Sequence, residues 1–297
     1  MGASMALNLL KKSSAQMLVY DLNPVAVASL RAAGATAASS LSDFKSCGTI
    51  ITMLPSSPHV SGTVDALLAA GWGSGAASSA PLLIDSSTID PLVSKSLALR
   101  IGALPSSGSS MIDAPVSGGV NGAKNGTLTF MVGATPTSLS LARPYLKQMG
   151  ANVVHCGGNG SGESTKLCNN LAMAIEMVGV SEALNLGVAL GLDPAVLSKV
   201  MNTSTSRCWS SDTYNPYPGI TPATPASNNY DGGFGSSLML KDLTLACAAA
   251  NAVKSPSPLA GHAKELYQLI EAQGGGMKDF SVVLQFLRGK LPLADKK

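Results

Sequence analysis

At 297 residues the chain is long enough for two domains, and with 12% charged side chains its surface must rest largely on Ser, Thr, Asn and Gly or be hidden in subunit contacts. An oligomer is therefore expected. A net charge of +3, without any run of lysines or arginines, excludes a surface built to track nucleic-acid phosphates and remains compatible with a small acidic molecule.

The chain opens on a helix that puts Met5, Ala6, Leu9 and Leu10 on one face, with Lys11 and Lys12 near its C-terminal end. Residues 16–21 form a short strand ending in Asp21, and a second helix covers 24–33. A strand at 49–54 stops at Pro55; a helix through 64–70 and a Gly/Ser/Ala-rich loop over 71–80 follow. Residues 81–85 read as a buried strand and 86–91 as a helix start, with further strands at 110–113, 128–132 and 152–155. Short apolar strands alternating with helices predict a parallel sheet covered on both faces. Beyond residue 160 the strand signal fades, and helices are predicted at 164–191, 194–202, 235–253, 258–273 and 279–288. The interruption at 207–232 is long for a plain connection, which marks it as functional or as an interface element. The expected fold class is α/β: a Rossmann-like nucleotide-binding domain over 1–160, then an all-helical substrate and oligomerisation domain over 161–297.

Residues 171–192 are apolar enough to raise a membrane span. Glu176, Glu182 and Asn185 interrupt them, and a charge at the bilayer centre costs about 2.5–3.5 kcal/mol, so a buried helix between subunits or domains is the better reading. The start of the chain lacks the cationic and apolar regions of a signal peptide. Five widely spaced cysteines without a CxxC pair suit reduced thiols. His59, His155 and His262 show no metal-ligand spacing, and no metal is expected.

The pattern strand, helix, strand ending in Asp is half of a dinucleotide-binding unit. The full fingerprint joins a first strand to the first helix through G-x-G-x-x-G, with an acid about 20 residues on for the ribose hydroxyls. Gly2 stands as the third glycine and Asp21 as the acid. The chain begins at Met1, so the first two glycines and the first, mid-sheet strand are expected to be missing, as with a late start site or a shortened chain. A carboxylate at position 21 favours NAD over NADP, because it repels a 2′-phosphate.

The stretch Gly157-Gly-Asn-Gly-Ser-Gly-Glu-Ser-Thr-Lys-Leu-Cys-Asn-Asn170 runs a glycine-rich turn into an apolar helix. Lys166 and Asn170, four residues apart, share a helical face. A solvated lysine has a pKa of about 10.4; partial burial near a helix start would lower it and make the amine usable as acid or base. Alone, the stretch also fits a surface lysine beside a helix cap. Ser117-Gly-Gly119 lacks bulky side chains, so its amides could approach a carboxylate closely; alone, it also reads as a plain turn.

Together these stretches resemble the β-hydroxyacid dehydrogenases. Met1-Gly-Ala-Ser-Met-Ala-Leu-Asn-Leu-Leu10, Ile51-Thr-Met-Leu-Pro55, Leu83-Ile-Asp-Ser-Ser-Thr-Ile-Asp-Pro91, Asp113-Ala-Pro-Val-Ser-Gly-Gly119 and the lysine segment are marks of the whole superfamily. Arg207-Cys-Trp-Ser-Ser-Asp-Thr-Tyr-Asn-Pro216, Asn228-Asn-Tyr-Asp-Gly-Gly-Phe-Gly235 and Asp279-Phe-Ser-Val-Val-Leu-Gln-Phe-Leu-Arg288 are similar to its 3-hydroxyisobutyrate branch. The resemblance implies that Lys166 transfers the proton and that Asn170 holds the substrate and orients the lysine. It implies that Ser117, Gly118 and Gly119 grip the substrate carboxylate. Gly2, Asp21, Leu54, Pro55 and Thr88 would border NAD, with Phe234 near the nicotinamide and Lys241 reaching the cofactor from the helical domain. His59 stands where relatives often carry asparagine. The implied reaction is NAD-dependent oxidation of 3-hydroxyisobutyrate to methylmalonate semialdehyde in valine breakdown, by a mitochondrial homodimer or homotetramer. Other short β-hydroxyacids, such as glycerate or tartronate semialdehyde in reverse, stay open. So does a binding module of little activity, given the incomplete cofactor cradle. A 6-phosphogluconate dehydrogenase would need a basic phosphate cluster that the chain lacks.

Overall fold

The computed structural model describes residues 1–74 and 80–291; part of the loop expected at 71–80 lies outside them. The chain divides into two compact units, Met1–Lys166 and Leu167–Lys297.

The first unit begins with α1 (Gly2–Lys12), which buries Met5, Asn8 and Leu9 and sets Lys11 and Lys12 against the negative end of its own dipole. Then follow β1 (Leu18–Val19), α2 (Pro24–Ala32), β2 (Thr36–Ala37), β3 (Thr49–Thr52), α3 (Ser57–Ala69), β4 (Leu82–Asp85) and α4 (Pro91–Gly102). After them come β5 (Ser110–Asp113), β6 (Val116–Ser117), α5 (Gly119–Asn125), β7 (Leu128–Gly133), α6 (Pro136–Met149) and β8 (Gly150–Gly157). Strands β3, β4 and β5 run parallel in unbroken register, from Thr49 beside Leu82 and Leu82 beside Ser110. The expected parallel order ends there: β7 runs antiparallel to β5 and β6, and β8 is again parallel to β7. A separate parallel pair joins β1 to β2. Among the described residues β1 pairs only with β2 and β3 only with β4, so no ladder links the two sheets.

Every residue of β4 is buried, as expected of a parallel strand covered on both faces. Its alternation sends Leu82 and Ile84 into one cluster with Ile112, Phe130 and Leu146, and Leu83 into another with Val60, Trp72 and Ile101. Helix α6 supplies the first cluster with Leu139, Ala142, Leu146 and Met149, a helical spacing that its prolines, Pro136 and Pro144, obscure in the sequence.

Helix α7 (Ser161–Ala189) spans the division at Lys166. Beyond it the second unit holds α8 (Pro194–Thr203), α9 (Trp209–Asp212), α10 (Ser236–Ala252), α11 (Pro258–Ala272) and α12 (Val283–Leu287). Met177, Met239, Leu243, Tyr267, Ile270 and Phe280 form its main cluster. The expected helix at 279–288 is instead a 3₁₀ turn, Phe280–Val282, followed by α12. The segment 207–232 is folded, with α9 and a 3₁₀ turn at Pro225–Asn228. The Tyr230 hydroxyl donates to the Pro216 carbonyl and accepts from Gln285 Nε2, both at 2.8 Å, which ties the segment to α12.

Helix α7 is long and apolar enough to cross a membrane, with a mean hydropathy of 1.4 over its most apolar window. Only 33% of that window is buried within the chain, so intrachain packing alone does not account for its apolarity.

Candidate active site

In open α/β sheets, ligands take the crevice outside the carboxyl ends of the strands, because side chains and free amides converge there. The expected cofactor residues of the first unit sit at such ends. Asp21 follows β1, exposed, with its Oδ1 accepting the Asn23 amide at 2.8 Å. Leu54 and Pro55 follow β3, and Thr88 follows β4. Gly2 opens α1, and a Cβ there would stand 3.4 Å from Met53 Cβ, so close packing does not by itself demand glycine. His59 is exposed and pairs its Nδ1 with the Ser56 hydroxyl at 2.7 Å.

A buried acid that the sequence reading passed over fixes this rim. Asp85 Oδ1 accepts the Thr52 and Ser87 hydroxyls at 2.8 and 2.6 Å, and the Ser87 oxygen in turn accepts the Leu54 amide at 2.8 Å. Burial pushes the Asp85 carboxyl above its ordinary value; the hydrogen bonds oppose that shift, and the neighbouring Asp113 charge adds to it. The available signal is an acid closing a fully apolar strand, and Asp113 repeats it one strand over.

Ser117 ends β6, and Gly118 and Gly119 turn the chain into α5 with φ of 128° and 61°. Side-chain-bearing residues rarely take such angles; both glycines are exposed, and a Cβ would meet nothing within 4 Å at Gly119 but would stand 3.2 Å from Leu128 Cδ2 at Gly118. Lys166 lies in the second turn of α7 with 8% of its surface exposed, which is not the surface lysine that the stretch alone also allowed.

In the second unit, Asn170 is 1% exposed and donates from Nδ2 to Asp242 Oδ2 at 2.6 Å. Its Oδ1 accepts from Asn169 Nδ2 at 3.1 Å, so the orientation of the amide is set. Lys241 Nζ lies 3.2 Å from Asp242 Oδ1. Phe234 is half-buried; its amide donates to Asp279 Oδ2 at 2.8 Å and its ring meets Phe280 edge to face. Asp242 and Asp279 were missed as site supports, since the residues they hold are far away in sequence.

The donor set of the first unit fits a dinucleotide. Helix α1 opens on Gly2, and the backbone amides of a helix start suit a pyrophosphate. The exposed Asp21 carboxylate suits ribose hydroxyls.

Residues 1–158 match the NAD binding domain of 6-phosphogluconate dehydrogenase, and 160–287 the family described as NAD-binding of NADP-dependent 3-hydroxyisobutyrate dehydrogenase. The chain is 47% identical over 289 residues to the mitochondrial 3-hydroxyisobutyrate dehydrogenase of Bos taurus, covering 97% of this chain and 84% of that one. Identity to the Drosophila melanogaster enzyme is 45%, with 97% and 86% covered. The structure of the Mycobacterium tuberculosis 3-hydroxyisobutyrate dehydrogenase with L-serine aligns at a TM-score of 0.87 and 36% identity, over 97% of this chain and 96% of that one. With such identity sustained along almost its full length, the chain belongs to the 3-hydroxyisobutyrate dehydrogenase family.

Proposed function

We propose that this chain oxidises 3-hydroxyisobutyrate to methylmalonate semialdehyde, with NAD as hydride acceptor, as a step in valine breakdown. The burial of Lys166, on one helical face with Asn170, carries the reading. Loss of hydride from carbon requires loss of a proton from the alcohol oxygen, and the Lys166 amine in its neutral form takes that proton. Asn170 orients the hydroxyl and the amine. The Ser117 hydroxyl and the amides of Gly118 and Gly119 hold the substrate carboxylate. Leu54, Pro55 and Thr88 line the cofactor, Asp21 holds its ribose, Gly2 opens the helix beneath its pyrophosphate, and Phe234 and Lys241 complete its contacts. NAD, when bound, supplies the hydride acceptor.

The name of the bovine relative places that enzyme in mitochondria, and the same location is proposed for this chain. A homodimer or homotetramer would cover the exposed Leu186, Leu190, Val196 and Val200.

The test follows NADH formation from 3-hydroxyisobutyrate, L-serine and glycerate by the unaltered chain and by Lys166→Ala. The unaltered chain should prefer 3-hydroxyisobutyrate, and the variant should lose at least about a hundredfold in kcat while keeping its NAD affinity. Undiminished turnover by Lys166→Ala removes the assignment of the base. A preference for another hydroxyacid removes the assignment of the substrate.

A further inference from the structure

Helix α7 has no capping side chain of its own at its start: Gly160 precedes its first residue, Ser161. The cap arrives from a strand end far back in the sequence. Asp113 Oδ1 accepts the Gly160 amide at 2.6 Å, and Oδ2 accepts the Glu163 amide at 3.0 Å. Those two backbone donors are the ones a local capping residue and its partner three positions on would otherwise meet. Both bonds are wholly buried, and Asp113 is 0% exposed.

Two glycines make the approach possible. A Cβ on Gly133, the β7 partner of Asp113, would overlap both carboxylate oxygens. One on Gly162 would overlap the Met131 carbonyl and stand 2.9 Å from Asp113 Oδ2. Asn159 adds a second tie, donating from Nδ2 to the Met111 carbonyl at 2.6 Å. Burial pushes the Asp113 carboxyl up, while the amides of Gly160, Glu163 and Gly162 oppose the shift, as expected of a buried acid stabilised chiefly by helix-end donors.

The same residue begins the segment that ends in the glycine loop, since β5 closes on Asp113 and β6 on Ser117. One strand end therefore feeds the Ser117-Gly-Gly119 turn and holds the first turn of the helix that bears Lys166, one turn further along. We propose that Asp113 is the positioning residue for Lys166, a carboxylate that fixes the α7 start against β5 and so sets the amine relative to the substrate-carboxylate loop. This rests on the reading of Lys166 as the base.

Steady-state kinetics on the whole chain test it, with Asp113→Asn, Lys166→Ala and the double variant, each assayed with and without methylamine as a free base. An amide offers one acceptor oxygen where the carboxylate offers two, so Asp113→Asn must release one backbone donor. It should lower kcat by about 10–100-fold while the KM for NAD changes by less than about twofold. A free amine does not depend on the helix to place it. Between Lys166→Ala and the double variant, the methylamine-rescued rate should therefore differ by less than about twofold. A general folding defect would instead cost the same factor in both backgrounds, and that result overturns the proposal. So does Asp113→Asn with undiminished kcat. Full turnover by Lys166→Ala without amine removes the reading beneath the proposal, and the proposal falls with it. If Asp113→Asn does not fold, amide exchange on the unaltered chain decides. Gly160 and Glu163 should be protected like the interior of α7, and exchange at the rate of an open loop overturns the assignment.

Discussion

Asn170 and Asp242 meet through a 2.6 Å hydrogen bond between buried side chains, 72 positions apart in the chain. The carboxylate accepts from the amide nitrogen and the neighbouring Asn169 donates to the amide oxygen, so the side chain of Asn170 cannot turn over without losing both partners. Replacing Asp242 by Ala strands a buried amide donor, at a cost of about 1–3 kcal/mol of stability. The kinetic consequence should be larger in kcat than in the KM for NAD, since the role proposed for the amide is to orient the substrate. Urea unfolding together with steady-state kinetics checks both; an Asp242→Ala chain with unchanged midpoint and unchanged kcat would show that the bond supports neither.

Asp21 is exposed at the end of β1, and its Oδ1 accepts the Asn23 amide of the short turn that follows. Its removal should therefore cost little stability and act on the cofactor contact proposed for it. Asp21→Ala should narrow the preference for NAD over NADP by about tenfold, the equivalent of about 1.4 kcal/mol. Parallel titrations of the two dinucleotides measure this directly. Equal discrimination before and after the substitution would take Asp21 out of the ribose site.

The sequence shows features whose causes are local and hides those whose causes are distant. The apolar run of β4 and the spacing of Lys166 and Asn170 are local, and both are legible, as a buried strand and a shared helical face. The sequence pattern puts the start of α7 at residue 164, because Gly160 and Gly162 look like turn residues. The helix begins at Ser161, because a carboxylate 47 positions before Gly160 caps it. Strand β7 is legible but not its reversal, since direction in a sheet depends on the connection through β6 and α5, two short elements with weak periodicity. In 207–232, composition points to a functional or interface segment. What folds it is a set of bonds within the segment, such as Tyr230 to Pro216, together with distant partners outside it, Gln285 and Asp279 among them.

Two glycines in helices make opposite predictions. In an ordinary helix interior, alanine outranks glycine by about 1 kcal/mol. Gly62 is exposed in α3, and a Cβ there would meet nothing within 4 Å, so it should follow that rule and Gly62→Ala should stabilise the chain. Gly162 in α7 should reverse it, because a Cβ there overlaps the Met131 carbonyl and crowds the Gly133 amide, both backbone atoms that cannot swing away. A loss of about 1–3 kcal/mol is expected for Gly162→Ala. Thermal unfolding of the two variants side by side tests the sign; a gain at both positions would mean that α7 and β7 are not packed as closely as described.

Asp279 allows a prediction about pH. The carboxyl is fully buried, with Oδ2 accepting the Tyr214 hydroxyl and the Phe234 amide at 2.8 Å each and Oδ1 accepting the Ser281 amide at 3.0 Å. Burial pushes its pKa above the ordinary 3.8, more than these hydrogen bonds hold it down. A raised value in the folded state means that the native chain keeps a proton that the unfolded chain has released. The stability this group contributes is therefore fully present below the unfolded value and is lost as pH rises through the folded one. Asp279→Asn removes that dependence and adds a pH-independent penalty of about 1–3 kcal/mol, because its amide nitrogen faces a backbone donor. The unaltered chain should thus melt above the variant by the widest margin in acid, and the margin should shrink as pH rises from the ordinary carboxylate range through the raised folded value. Melting curves for both chains across that range measure it. A margin that grows with pH would mean that the hydrogen bonds from Tyr214, Phe234 and Ser281 outweigh burial and keep Asp279 ionised.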